Sequence, residues 1–287
     1  MNKYMNDKIS LTEYLNKQYL IYSHSIFRFG EYHLFLKDLA TDFKSDLHPE
    51  VIKQLNYFFV CSNLLDDIMD NDNKEIKRIY NLNDEFPIYL KNVLSSIEKG
   101  LSKKEYSVFI NYASNSLHYQ NIESQSRLTI ETTENDYFSL YIKRSVLLLQ
   151  AAVPFNSESS LNSLYTSTKY LAYFGQIKND IANLRKSKSS DLLNSRPTLP
   201  LIKVIEYANK QKNEEIINLI FSINKESYNK KEYDRIIRFI YENDILEHCA
   251  KLALYFFDKA RKELLFHFSE KKEYIDYFFS NLIIRDD

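Results

Sequence analysis

Three carboxylates, Asp66, Asp67 and Asp70, stand close together in Asn63-Leu64-Leu65-Asp66-Asp67-Ile68-Met69-Asp70-Asn71-Asp72, which also ends in Asp72. On a helix, Asp66 and Asp70 lie one turn apart on the same face, with Asp67 beside them. Like charges at that spacing repel, and the compensating ion suited to hard oxygens is Mg²⁺, which takes one or two carboxylates and completes its shell with water and phosphate oxygens. A solvated acidic helix end would carry the same residues, so this cluster alone leaves both readings open. A second stripe supplies context. In Gly175-Gln176-Ile177-Lys178-Asn179-Asp180-Ile181-Ala182-Asn183, helical spacing aligns Gln176, Asn179, Asp180 and Asn183, while Tyr170, Phe174, Ile177 and Ile181 make the other faces apolar. Two such stripes facing each other would hold a diphosphate between several Mg²⁺ ions.

The elements that carry these clusters read as long helices. From His48 to Asp70, apolar positions recur through Val51, Leu55, Phe58, Ser62 and Leu65, with Pro49 and Glu50 suited to a helix start. Ile245 to Phe268 repeats the pattern through Ile245, Cys249, Leu252, Phe256, Ala260 and Leu264. Further helices are expected over 10–34, 85–98, 103–129, 134–153, 160–184, 198–210, 213–227, 231–242 and 272–283. No alternating strand pattern, repeat or interdomain linker is present. The Lys/Ser stretch from Arg185 to Ser190 reads as a mobile loop, either a solvated connector or a basic segment that closes over diphosphate. A single all-α domain over 1–287, of about ten helices, is expected.

Composition narrows the function classes. Only three of 287 residues are glycine, Gly30, Gly100 and Gly175, so glycine-cradled nucleotide folds and turn-rich β-sandwiches are nearly excluded. The net charge of −1 disfavours a nucleic-acid or anionic-membrane partner. Cys61 and Cys249 lie in apolar helical stretches and read as reduced interior thiols, and the six histidines show no metal spacing. The N-terminus is polar, and the run from Val146 to Phe155 is broken by Gln150 and Pro154, so a soluble cytoplasmic protein is expected.

The two clusters resemble the class I trans-isoprenyl diphosphate synthases, the polyprenyl synthetase family. Asp66-Asp67-Ile68-Met69-Asp70 matches the first aspartate-rich motif, and Gln176 to Asn183 matches the second, with asparagine for aspartate at Asn179 and Asn183. Three further blocks follow in family order. Tyr119-Gln120-Asn121-Ile122-Glu123 is similar to GQxxD, Tyr137 with Lys143-Arg144-Ser145 to the tyrosine–lysine block, and Asp191 to Pro200, with Arg196 for lysine, to D-L-x-x-x-K-x-T-L-P. The resemblance implies a helical bundle around a central apolar cavity and metal binding by Asp66, Asp70, Asn179, Asp180 and Asn183. It also implies diphosphate contacts from Lys143, Arg196 and Gln120, catalytic roles for Asp66, Asp67, Asp70, Lys143, Gln176 and Asp180, a prenyl pocket near Phe58 and Phe59, and a homodimer.

The departures bear on the reaction. Chain-elongating members carry Gly-Lys-Arg upstream of the first motif and Arg-Arg-Gly after it. Here Arg28-Phe29-Gly30-Glu31 and Lys77-Arg78 stand instead, so a second diphosphate has no evident cradle. The pattern looks most like the bacterial competence-pheromone isoprenyltransferases, which implies transfer of a geranyl or farnesyl group to a tryptophan of a peptide precursor. A terpene synthase using one allylic diphosphate, a chain-elongating synthase and a catalytically silent regulatory subunit are the alternatives. The bulky residues Tyr57, Phe58 and Phe59 suggest a short prenyl pocket by resemblance. The 23 tyrosines and 19 phenylalanines permit an aromatic wall, by which cation–π attraction stabilises a carbocation, without locating it.

Overall fold

The structure, a computed structural model, describes residues 8–25, 27–43, 46–70, 75–154, 158–224 and 226–283. In chain order the α-helices are α1 (Leu11–Ser23), α2 (Phe29–Thr41), α3 (Pro49–Asp70), α4 (Leu82–Gly100), α5 (Lys103–Gln125), α6 (Glu134–Asp136), α7 (Lys143–Gln150) and α8 (Glu158–Leu184). They continue as α9 (Ser190–Leu193), α10 (Leu199–Lys210), α11 (Glu214–Ser222), α12 (Lys230–Glu242), α13 (Ile245–His267) and α14 (Lys272–Ile283). The expected all-α class holds, and the expected count of about ten is corrected to fourteen helices among the described residues.

Local chemistry explains the added breaks. The single helix expected over 10–34 is two, because His24 caps α1 through backbone bonds to Ile21 and Tyr22, and the Tyr22 hydroxyl accepts the N–H of Phe29 at the start of α2. The helix expected over 134–153 is divided by a five-residue π-helical turn, Tyr137–Tyr141, between α6 and α7. The expected 103–129 helix stops at Gln125, where Arg196 Nη1 donates to the carbonyls of Glu123 and Ser124 at 3.1 and 3.0 Å. The short α9, capped by the Ser189 hydroxyl on Leu192 N, lies between the expected loop and the helix expected over 198–210, where no helix was expected.

Residues divide into two compact units. The first comprises 1–114, 149–165 and 263–287, the second 115–148 and 166–262. In the first, α3 packs against α1, α2 and α4. The approach of α2 to α3 is close because residue 30 is glycine: a Cβ there would lie 2.2 Å from the Ile52 carbonyl oxygen. The C-terminal end of α2 is closed by Lys271, 8% exposed, whose ammonium donates to Leu39 O at 2.6 Å and pairs with Asp42 at 2.7 Å. A cation there meets the carbonyls that a helix end leaves unpaired. His33 is fully buried on α2 and donates from Nδ1 to Ala152 O at 2.7 Å. In the second unit, α10, α11 and α12 pack in sequence, and buried Lys203 joins α10 to Glu134 of α6.

Candidate functional site

The first acidic cluster is positioned by apolar packing. Cys61 and Leu64 are buried, and Leu65 and Ile68 partly so, against Leu11, Tyr14 and Leu15 of α1. These α3 residues sit three or four apart, so the opposite face carries Asn63, Asp66 and Asp67. Asn63 is exposed, and Asp66 and Asp67 are half-buried. Asp70 is the last residue of α3. Its side chain lies outside the described residues, as do Asn71 and Asp72. About two turns before Asp66, Phe58 is core, its ring 4.9 Å from that of Phe109 and 6.0 Å from that of Phe29. Phe59 is half-buried and stacks on Tyr22 and Phe29 at 5.2 and 5.6 Å. Both residues therefore belong to an aromatic cluster shared with α1 and α2.

On α8 the second stripe divides by role. Asp180 was expected to face a metal, yet it is 2% exposed and its carboxylate receives three protein donors. Tyr137 Oη donates to Oδ2 at 2.8 Å, Leu199 N to Oδ2 at 3.2 Å, and Gln176 Nε2 to Oδ1 at 2.9 Å. Burial pushes this carboxyl up to about 6 against the pull of those donors. Gln176 is held at both ends of its amide, since its Oε1 accepts from Ser145 Oγ at 2.8 Å. Asn183 is committed to the loop that follows. Its Oδ1 accepts from Ser189 Oγ at 2.6 Å and Asp191 N at 3.2 Å, and its Nδ2 donates to Ser190 Oγ at 2.9 Å. Asn179 is exposed, so of the four stripe residues it is the one most open to solvent.

The connector from Arg185 to Ser189, expected to be mobile, is tied down at its backbone. Ser189 N donates to Tyr233 Oη at 2.9 Å, and that hydroxyl donates to Lys186 O at 3.2 Å. Lys188 Nζ stands 4.0 Å from the Tyr228 ring centroid, while Arg185, Lys186 and Lys188 are exposed. Lys143 opens α7 directly after the π-helical turn and is half-buried. Such turns cost regular hydrogen bonding and recur at functional positions. Gln120 is buried on α5, and Arg196 braces the end of that helix.

Sequence reasoning missed the clamp on Asp180 and the Tyr233 anchor. No sequence signal marks the clamp, because Thr198 is a favoured N-cap residue type and only the structure shows that its side chain leaves α10 uncapped. It also missed an apolar groove of about 430 Å³ formed by Leu128, Ile130, Ile217 and Phe221 with their polar neighbours, which includes none of the motif residues.

A divalent ion fits the donor chemistry of α3, where Asp66 and Asp67 offer hard oxygens and no soft ligand. On α8, Asp180 and Asn183 spend their oxygens on protein donors and Asn179 is neutral. Among the described residues no three His, Cys, Asp or Glu side chains gather to hold a metal by themselves, so ligand oxygens would have to complete the shell. Among the described residues no helix is long and apolar enough to cross a membrane.

Comparison with known proteins places the fold. No protein-family model and no curated protein matches the chain. Solved structures do. Heptaprenyl diphosphate synthase from Staphylococcus aureus aligns with a TM-score of 0.68 at 14% identity, over 88% of this chain and 86% of that one. A polyprenyl synthase from Caulobacter crescentus, solved with calcium and isoprenyl diphosphate, aligns at 0.71 and 13% identity over 96% and 95%. Geranylgeranyl pyrophosphate synthase from Lactobacillus brevis, solved with citrate, aligns at 0.69 and 11% identity over 93% and 89%. The chain has the all-α fold of the class I trans-isoprenyl diphosphate synthases.

Proposed function

We propose that this chain is a Mg²⁺-dependent prenyltransferase that ionises one allylic diphosphate, geranyl or farnesyl, and passes the prenyl group to a tryptophan of a short peptide precursor used in cell-to-cell signalling. One observation carries the reading: the polyprenyl synthase fold is kept while α3 still ends in Asp66, Asp67 and Asp70. The lack of basic cradles at Arg28-Phe29-Gly30-Glu31 and after Lys77-Arg78 supports a single diphosphate and an acceptor of another kind.

Asp66 and Asp70, with Asn179 as a neutral oxygen donor, would hold the metal. When bound, Mg²⁺ supplies the positive charge that stabilises a departing diphosphate. Lys143 and Arg196 are assigned to the diphosphate oxygens as charged donors, and Gln120 to orientation of the ligand. Aromatic faces near Phe59 would shield an allylic cation from water while attracting its charge. The protein is expected to act as a homodimer in the cytoplasm.

Incubation with geranyl, farnesyl or geranylgeranyl diphosphate and Mg²⁺, with and without a tryptophan peptide, tests the proposal. Diphosphate release stimulated by the peptide supports it, and a hydrocarbon product would indicate a terpene synthase instead. The silent-subunit reading draws on one observation, the diversion of Asp180 and Asn183 to protein partners. Absence of release with every donor would favour it.

A further inference from the structure

Lys143 sits between two fixed points on the chain. Six residues before it, Tyr137 starts the π-helical turn, and its hydroxyl is bound to Asp180 at 2.8 Å. Two residues after it, Ser145 donates to Gln176 at 2.8 Å, and Gln176 in turn donates to Asp180 at 2.9 Å. The same carboxylate accepts the first N–H of α10, Leu199, at 3.2 Å. One buried side chain on α8 therefore fastens the start of the π-helical turn, the first turn of α7 and the start of α10.

We propose that Asp180 is a positioning residue that sets the place of Lys143 through Tyr137 on one side and through Gln176 and Ser145 on the other, and that it is not a metal ligand. The geometry gives two grounds. Its oxygens meet three protein donors and are almost wholly removed from solvent, so a metal would have to displace bonds that hold two helices and a turn. The π-helical turn is the second. Ile142 N bonds back to Tyr137 O at 3.1 Å, five residues away, and this wider turn determines where the next helix begins. The Asp180–Tyr137 bond fixes the turn at its first residue. The inference rests on the diphosphate role given above to Lys143.

The test uses the full chain with Mg²⁺ and geranyl S-thiolodiphosphate, an unreactive analogue, read by calorimetric binding and by amide hydrogen exchange. Asp180→Asn keeps oxygen acceptance from Tyr137 and Leu199, and the Gln176 amide can turn to match it. This variant is expected to keep its Mg²⁺ half-saturation within about twofold of the wild type, since no ligating charge is lost. Tyr137→Phe removes one clamp and touches no metal. It is expected to weaken analogue binding roughly tenfold, as loss of a supporting shell does, and to add nothing further in combination with Lys143→Ala.

A rise of about tenfold or more in Mg²⁺ half-saturation for Asp180→Asn, or additive effects of Tyr137→Phe and Lys143→Ala, would overturn the proposal. If the wild-type chain takes no analogue, the diphosphate reading fails and exchange decides the clamp on its own. Protection at Leu199 and Ile142 lost in Asp180→Ala and kept in Asp180→Asn supports the clamp. Protection unchanged in both refutes it.

Discussion

Gly175 lies deep inside the 27-residue helix α8, where glycine has no evident local justification. None of the glycines has positive φ, and a Cβ built at Gly175 meets no atom within 4 Å. Neither backbone conformation nor close packing demands glycine there. Replacing it by alanine recovers the helix-propensity difference of about 1 kcal/mol and neither gains nor loses packing. For a chain of this size that corresponds to a rise of roughly 2–4 °C in Tm. Gly30→Ala is the internal control. The same propensity gain applies, but the new methyl would press to 2.2 Å from Ile52 O and 2.9 Å from its Cγ2, so α2 and α3 must separate. Overpacking of that kind costs about 1–3 kcal/mol, and separation also strains the 2.8 Å bond from Gly30 N to Asn56 Oδ1, leaving a net loss. Urea midpoints followed by circular dichroism, at unchanged m, read both differences. A lowered midpoint for Gly175→Ala, or a raised one for Gly30→Ala, refutes the reasoning. If Gly175→Ala stabilises and also weakens analogue binding, the open volume beside Gln176 is occupied in the liganded protein.

Four further outcomes are expected. Burial lowers the His33 imidazole from 6.5 to about 4, so the unfolded chain binds the proton first as pH falls. Stability from this group is complete above pH 6.5 and is lost by about 3 kcal/mol on descent to pH 4, a loss that His33→Gln should reduce in pH-dependent urea titrations. Lys271→Met leaves the Asp38 and Leu39 carbonyls without their ammonium and should cost about 2–3 kcal/mol in chemical denaturation, with little of that from exposed Asp42. Asn179→Asp returns a charge to α8 and should lower Mg²⁺ half-saturation severalfold in analogue-binding titrations. Asp66→Ala should abolish the Mg²⁺-dependent thermal stabilisation given by the analogue, and unchanged stabilisation would remove α3 from the proposed metal site.

The long helices were legible because their apolar residues recur every three or four positions over many turns. Val51, Leu55, Phe58 and Ser62 are all buried as that spacing requires. The break between α1 and α2 was not, since it depends on the Tyr22 hydroxyl reaching Phe29 N, a contact without periodicity. The candidate site was legible as a set of positions and less so as a set of roles. Successive residues stand about 100° apart on a helix, so Asn179 and Asp180 both fall within one broad polar stripe. Which of them turns inward is decided by Tyr137 and Leu199, far away in sequence. Asn183 was likewise read for its oxygen, which the Ser189 hydroxyl takes as part of a helix-capping arrangement.

The contact between Lys271 and the end of α2 joins residues 232 positions apart. During synthesis α2 is made with its terminal carbonyls hydrated, and they meet their ammonium only once the chain has been extended through Lys271. The first unit is thus assembled from both ends of the described sequence, whereas residues 166–262 of the second unit form one uninterrupted stretch that precedes Lys271. Synthesis through Lys271 becomes the step that commits α2 to its final structure, and a ribosome stalled before Lys271 would hold that helix still exchanging its amides with water.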